Sequence, residues 1–178
     1  MLEKSNYKIN SEIDLGDGPI NGQGVGQISK CRYGFFPASF NACEMIAIYN
    51  LLILNGYKGH KFAEICLEMY PKTWALWGIL GSNVYMLHKY FTKRNIPVKR
   101  YFAFQRDKCF HEIDKHKFGI ISFWNRKNPF KGIHTVCVEK TESGYKVYNR
   151  YNNKDYPYEY KTAQEVVDTI RFLAGYII

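Results

Sequence analysis

The sequence has no run of about 18 apolar residues, so we expect no segment that crosses a membrane. Its first ten residues also lack the apolar stretch of roughly 7–15 residues that marks a secretory signal, which predicts a cytoplasmic protein. Acidic residues are in the minority, with 16 against 25 lysines and arginines, and the net charge is +9. These cations are scattered singly or in pairs, so a basic surface is favoured over a nucleic-acid function.

The sequence has no CxxC pair. The five cysteines stand at wide, irregular spacings, and their odd number fits reduced thiols better than a disulfide framework. Cys109 and His111 are separated by a single residue, and no second pair stands at a spacing typical of zinc ligands. We therefore predict neither a metal site nor a cofactor.

The length of 178 residues suits one domain, and no linker, internal repeat or low-complexity tract divides it. We predict a loop-rich segment over residues 1–30, because its glycines break any period. Helical patterns follow, and strand patterns dominate from about residue 96 onward. Helices first and a largely antiparallel sheet second indicate the α+β class.

The longest predominantly apolar run, FNACEMIAIYNLLILNG, covers residues 40–56 and predicts a buried helix over about 42–55. With Asn41 as its N-cap, Cys43 falls in the first turn, where free N–H groups and the helix dipole stabilise a thiolate. The neighbouring Glu44 opposes this, because a negative charge raises the pKa of a thiol. Cys43 therefore needs a cationic partner if it is a nucleophile; otherwise it is a buried cysteine that only packs.

A hairpin far downstream offers that partner. In GIHTVCVEKTESGYKVYN, residues 132–149, a four-residue loop over 140–143 predicts a register that sets His134 opposite Asn149. An asparagine amide oxygen in that place accepts one imidazole N–H, fixes the tautomer and leaves the other nitrogen free to face a thiol. A slip of one residue would remove this pairing.

The order of these residues resembles the papain-like cysteine peptidase superfamily: a cysteine opens the first long helix, a histidine opens a later strand, and an asparagine ends the next strand. The smaller bacterial members, similar to the bacteriocin-processing peptidases, are nearest in size, and the resemblance covers roughly residues 36–178. It implies one papain-like domain over 1–178, whose central helix bearing Cys43 packs against the C-terminal sheet. It also implies a triad of Cys43, His134 and Asn149 that acts on a peptide or other amide substrate through a thioester.

Two features depart from the family pattern. Pro37 stands six residues before Cys43, where such peptidases usually carry the glutamine of the oxyanion hole, so Asn41 and Gln27 are the candidate donors instead. Glu44 replaces the small residue often found after the cysteine. Two functions therefore stay open: a cysteine peptidase or related amidohydrolase or acyltransferase, and a catalytically weak scaffold that serves as a binding or regulatory module.

Overall fold

A computed structural model of the chain describes residues 2–73, 83–125, 132–167 and 170–178. The helices in these ranges are α1 (Leu2–Ser11), α2 (Ala38–Asn41), α3 (Cys43–Leu54), α4 (Phe62–Thr73), α5 (His88–Lys93), α6 (Arg106–His116) and α7 (Ala163–Val167). The strands are β1 (Arg32–Tyr33), β2 (Phe36–Pro37), β3 (Lys99–Phe102), β4 (Phe118–Asn125), β5 (Ile133–Thr141), β6 (Gly144–Tyr148), β7 (Tyr158–Tyr160) and β8 (Ile170–Ile177). Short 3₁₀ turns occupy Gln27–Lys30, Val84–Met86 and Ala103–Gln105.

Six of the strands form one antiparallel sheet in the order β3-β8-β4-β5-β6-β7, while β1 and β2 pair as a separate hairpin. Most helices precede this sheet in the sequence, so the α+β class predicted from the sequence is confirmed. None of the helices in the described ranges is both long and apolar enough to span a bilayer.

Helix α3 is buried along nearly its whole length between α4 and the sheet strands β4 and β5. Apolar side chains occur on all sides of this helix, and Met45, Ile46, Leu51 and Leu52 are fully buried. Each such side chain contributes roughly 1.5–3 kcal/mol by leaving water. The packing therefore holds the first residue of α3, Cys43, firmly against the sheet.

Helix α1 forms inside the segment that the sequence predicted to be rich in loops. It was missed because two asparagines, rather than an apolar stripe, make its buried contacts. Asn6 donates from Nδ2 to the oxygen of Gly34 at 2.8 Å. Asn10 donates to the oxygen of Arg32 at 2.9 Å and accepts from the Arg32 backbone nitrogen at 2.8 Å. Satisfied amides let these polar residues lie inside the protein.

The loop between α1 and the first 3₁₀ turn is fixed to α3 by Asn50. This side chain is completely buried, and its Oδ1 accepts from the Ile20 backbone nitrogen at 2.7 Å. Its Nδ2 donates to the Ile20 oxygen at 2.8 Å. One amide therefore satisfies both backbone groups of a buried loop residue.

Replacing Asn50 with alanine is expected to lower the free energy of unfolding by about 2–4 kcal/mol, because both backbone groups of Ile20 lose their partners. Urea unfolding followed by fluorescence measures this loss. Asn55→Ala is the matched control, since Asn55 donates only to Leu51 within its own helix and is partly exposed. It should cost less than about 1 kcal/mol, and an equal loss in both variants would contradict the role given to Asn50.

Candidate functional site

Cys43 is the first residue of α3, one position earlier in the helix than predicted. Asn41 does not cap this helix, because a separate helical turn, α2, ends at Asn41 and leaves Ala42 as the N-cap. The side chain of Cys43 is only 5% exposed. The predicted capping arrangement was therefore wrong, although the cysteine still stands in the first turn.

The Cys43 sulfur contacts both its own helix and strand β5. The thiol donates to Oε2 of Glu44 at 3.2 Å, and a backbone hydrogen bond from Thr135 also reaches the sulfur. Glu44 is 1% exposed, and its Oε1 accepts a long hydrogen bond of 3.5 Å from Oγ1 of Thr135. Because Thr135 directly follows His134, these contacts place the thiol beside the strand position that carries the histidine.

Burial and the adjacent carboxylate keep Cys43 in its thiol form. Burial is the largest cause that raises its pKa well above the usual value for cysteine. The negative charge of Glu44 and the hydrogen bond that the thiol donates to it raise the pKa further. Backbone hydrogen bonds from Thr135 and Glu44 oppose these effects without reversing them. Cys43 therefore rests as a protonated thiol rather than as a preformed thiolate.

His134 is the second residue of β5, partly exposed and paired with Phe123 of β4. Its Nε2 lies 2.6 Å from the backbone oxygen of Asn149. Because a carbonyl oxygen can only accept, Nε2 carries a proton, and Nδ1 of the neutral ring is an unprotonated acceptor. Burial lowers the pKa of His134 to about 4; the Asn149 carbonyl opposes this, and the charge of Arg150 adds to it. At neutral pH the imidazole is therefore a neutral base.

The hairpin that carries His134 has a different register from the predicted one. Thr141 pairs with Gly144, so a two-residue turn joins β5 and β6 in place of the predicted loop over 140–143. This change shifts the ladder by two residues, and Asn149 no longer stands opposite His134. Gly144 has φ +150°, and a side chain there would collide with the backbone of the neighbouring strand. Glycine therefore lets β6 begin directly after the short turn.

Asn149 reaches His134 through its main chain and not through its side chain. It follows β6 with φ 57°, a left-handed conformation that asparagine tolerates better than most residues. Its Oδ1 accepts from the Gln23 backbone nitrogen at 3.1 Å, and its Nδ2 donates to Oε1 of Gln23 at 3.0 Å. Its backbone nitrogen donates to Oδ1 of Asn21 at 2.8 Å. The amide therefore anchors the N-terminal loop beside the carbonyl that orients the histidine.

Gln23 is a site residue that the sequence did not single out. It is 4% exposed, and its Nε2 donates to the backbone oxygen of Ser39 at 2.9 Å. It therefore joins the loop after β6 to the helical turn that precedes Cys43. Its contact with Asn149 spans 126 positions, and no local pattern in a glycine-rich loop reports such a contact.

The two candidate oxyanion donors differ in their settings. Gln27 is exposed at the start of a 3₁₀ turn. Asn41 is buried, and its Nδ2 already donates to the oxygen of Tyr33 at 3.1 Å. Its Oδ1 is a buried acceptor without a partner in the described part of the chain. None of these contacts places an amide N–H of Gln27 or Asn41 beside the Cys43 sulfur.

The remaining features of the described ranges that could form a site are a cavity, the cysteines and possible metal ligands. A cavity of about 850 Å³ lies along the C-terminal half of α3, lined by residues 10–17 and 56–63, and includes neither Cys43 nor His134. All five cysteines are free and buried, in agreement with the predicted reduced thiols. Within the described ranges, no group of three or more His, Cys, Asp or Glu side chains is placed to hold a metal ion.

Cys43 and the His134 strand are linked through Thr135, whose backbone hydrogen bond reaches the sulfur, while His134 Nε2 contacts the Asn149 oxygen; within the described ranges no hydrogen bond joins Cys43 to His134 directly. A thiol and a neutral imidazole of this kind can exchange a proton when they meet, and the resulting thiolate can attack an electrophilic carbon. Comparisons of the chain with protein-family models, curated proteins and solved structures find no match.

Proposed function

We propose that the protein is a papain-like cysteine peptidase, or a related amidohydrolase or acyltransferase, that acts on peptide or other amide bonds through Cys43. One observation carries the proposal: the 2.6 Å contact between His134 Nε2 and the Asn149 oxygen. This contact leaves Nδ1 of His134 as the acceptor nitrogen. The next residue of the same strand, Thr135, donates a backbone hydrogen bond to the Cys43 sulfur.

The reaction starts from two neutral groups. As the Cys43 sulfur attacks the carbonyl carbon, its proton passes to Nδ1 of His134, and the imidazolium then donates that proton to the departing amine. The resulting thioester is resolved by water or another nucleophile, with Nδ1 again acting as the base. The Asn149 oxygen stabilises the imidazolium through the Nε2 hydrogen bond, since this contact favours the protonated ring.

A second function is favoured by the contact between Cys43 and Glu44. A thiol that donates to a buried carboxylate is stabilised in its protonated form, which slows nucleophilic attack. This contact fits a papain-like scaffold with weak chemistry that binds or regulates another molecule.

Capture of an acyl-enzyme separates the two functions. The protein is incubated with a peptide mixture from a protein digest and quenched in acid, and the fragment containing Cys43 is analysed by mass spectrometry. We expect Cys43 adducts that match acyl portions of the peptides, together with cleaved peptides, and neither in Cys43→Ala. Cys66→Ala, which removes another buried cysteine, is the matched control and should behave as the wild type. If a folded wild type forms no adduct and no product, the binding function is favoured.

A further inference from the structure

Arg150 is a buried cation that directly follows Asn149. It is 7% exposed, and its guanidinium carbon lies 5.0 Å from the ring centre of Phe123 and 5.0 Å from that of Tyr151. Its Nε donates to the hydroxyl of Tyr160 at 3.2 Å. Two rings and one hydrogen bond therefore hold the planar group in a defined orientation.

No carboxylate pairs with Arg150 among the residues that the structure describes. Taking a guanidinium out of water is costly unless an anion accompanies it, and buried charges in proteins are normally paired. In the same ranges, Asn41 Oδ1 is the one fully buried side-chain polar atom that lacks a partner. The Nη groups of Arg150 are therefore not fully enclosed, although the residue as a whole is only 7% exposed.

Arg150 is also coupled to the candidate base. The rings of His134 and Phe123 meet edge to face with centroids 5.7 Å apart, and the guanidinium carbon of Arg150 lies 5.0 Å from the centre of the same Phe123 ring. The positive charge of Arg150 lowers the pKa of His134, so the two groups interact electrostatically. An anion on Arg150 therefore lies close enough to the imidazole to favour its protonated form.

We propose that Arg150 binds a carboxylate of the substrate through its two Nη groups, beside the partly exposed ring of Tyr151. A guanidinium matches a carboxylate with two parallel hydrogen bonds, which a lysine cannot reproduce. The substrate class is peptides or amides with a carboxylate near the reacting carbonyl, at the chain end or on an acidic side chain. Calling the ligand a substrate rests on the proposed function, whereas carboxylate binding itself does not. The bound anion would also ease proton transfer from Cys43 to His134.

Titration with three small peptides, followed by NMR of the Arg150 Nε–H signal, tests the proposal. Acetyl-Ala-Glu-amide carries a side-chain carboxylate, acetyl-Ala-Ala a terminal one, and acetyl-Ala-Gln-amide none. We expect saturable shifts with at least one acidic peptide and binding at least about tenfold weaker for the neutral one. Arg150→Lys should weaken acid binding about tenfold, and Arg150→Met should abolish it. Binding by these variants is followed through the Tyr151 amide signal.

The pKa of His134, read from its Cε1–H signal, gives a second measurement. The pKa of His134 should rise when the acidic peptide binds the wild type. In Arg150→Met, adding the peptide should leave this pKa unchanged. Among the described residues, Arg150 is the one charged group that shifts the pKa of His134, and Cys43 and Glu44 on α3 are unchanged in every variant. Tyr160→Phe is the matched control: it removes the hydrogen bond to Nε but keeps the charge, and should retain binding.

Equal binding of the glutamine peptide, or no binding of either acid to the folded wild type, would overturn the proposal. If Arg150→Met does not fold, the comparison of Arg150→Lys with Tyr160→Phe decides, since equal acid affinities in these two would also overturn it. None of these measurements needs turnover. The two proposals can therefore fail separately. If no carboxylate binds, an acyl-enzyme at Cys43 can still be detected; if no acyl-enzyme forms, carboxylate binding can still be measured.

Discussion

Replacing Glu44 with glutamine is expected to accelerate alkylation of Cys43 by about ten- to a hundredfold at pH 8. Alkylation requires the thiolate, and below the thiol pKa each unit by which that pKa falls gives about tenfold more thiolate. Glu44 raises the Cys43 pKa both by its charge and by accepting the thiol hydrogen bond. Glutamine keeps the size of the side chain while removing the charge. Burial remains, so the pKa should stay above that of a free cysteine.

Iodoacetamide pulses between pH 7 and 10, followed by peptide mapping, measure the labelling rate at each cysteine. The four other buried cysteines serve as internal references for any general loosening of the fold. Glu139→Gln is the matched control, because Glu139 raises the pKa of Cys137 in the same strand but is not among the groups that shift Cys43. It should leave Cys43 labelling unchanged. Identical pH profiles for Cys43 in wild type and Glu44→Gln would show that burial alone suppresses the thiolate.

The elements that hold Cys43 and His134 could be predicted from the sequence because their patterns are local. The apolar run over residues 40–56 predicts α3 to within one residue at each end. The alternation after residue 132 predicts strand β5, with His134 near its start. Both signals arise from burial on one element at a time, which a short window of sequence reports. The papain-like identity of the fold stays a prediction.

The contacts between elements could not be predicted because each depends on a detail outside those windows. The register of β5 against β6 depends on whether Lys140 and Thr141 lie in the loop or extend β5, and the choice moves Asn149 by two positions. Asn41 does not cap α3, because it is the last residue of the preceding helical turn, α2. The contact of Gln23 with Asn149 joins distant loops through amide hydrogen bonds, which leave no hydrophobic period in the sequence.

Replacing His134 with glutamine is expected to lower kcat/KM by about 10²–10⁴-fold, the usual contribution of a positioned general base. The substrate is a peptide identified through the Cys43 acyl-enzyme. In the wild type, activity should fall as the pH drops through about 4, where the imidazole becomes protonated and can no longer accept. An ordinary histidine would lose its basicity near pH 6.5. The free energy of unfolding should also fall as the pH drops from about 6.5 to about 4, because the unfolded chain binds the proton more readily over this range.

Asn149→Gly separates the main-chain role of Asn149 from a side-chain role. Glycine keeps the carbonyl that accepts from His134 and suits the φ of 57° at this position. It removes only the amide that anchors Gln23, so we expect a loss of at most about tenfold, with the acid limb still near pH 4. If the side-chain amide oriented the imidazole instead, Asn149→Gly would no longer hold His134 in the tautomer with an unprotonated Nδ1. Its activity would then fall toward that of His134→Gln. Because the carbonyl makes the contact, the base should stay oriented without the asparagine side chain.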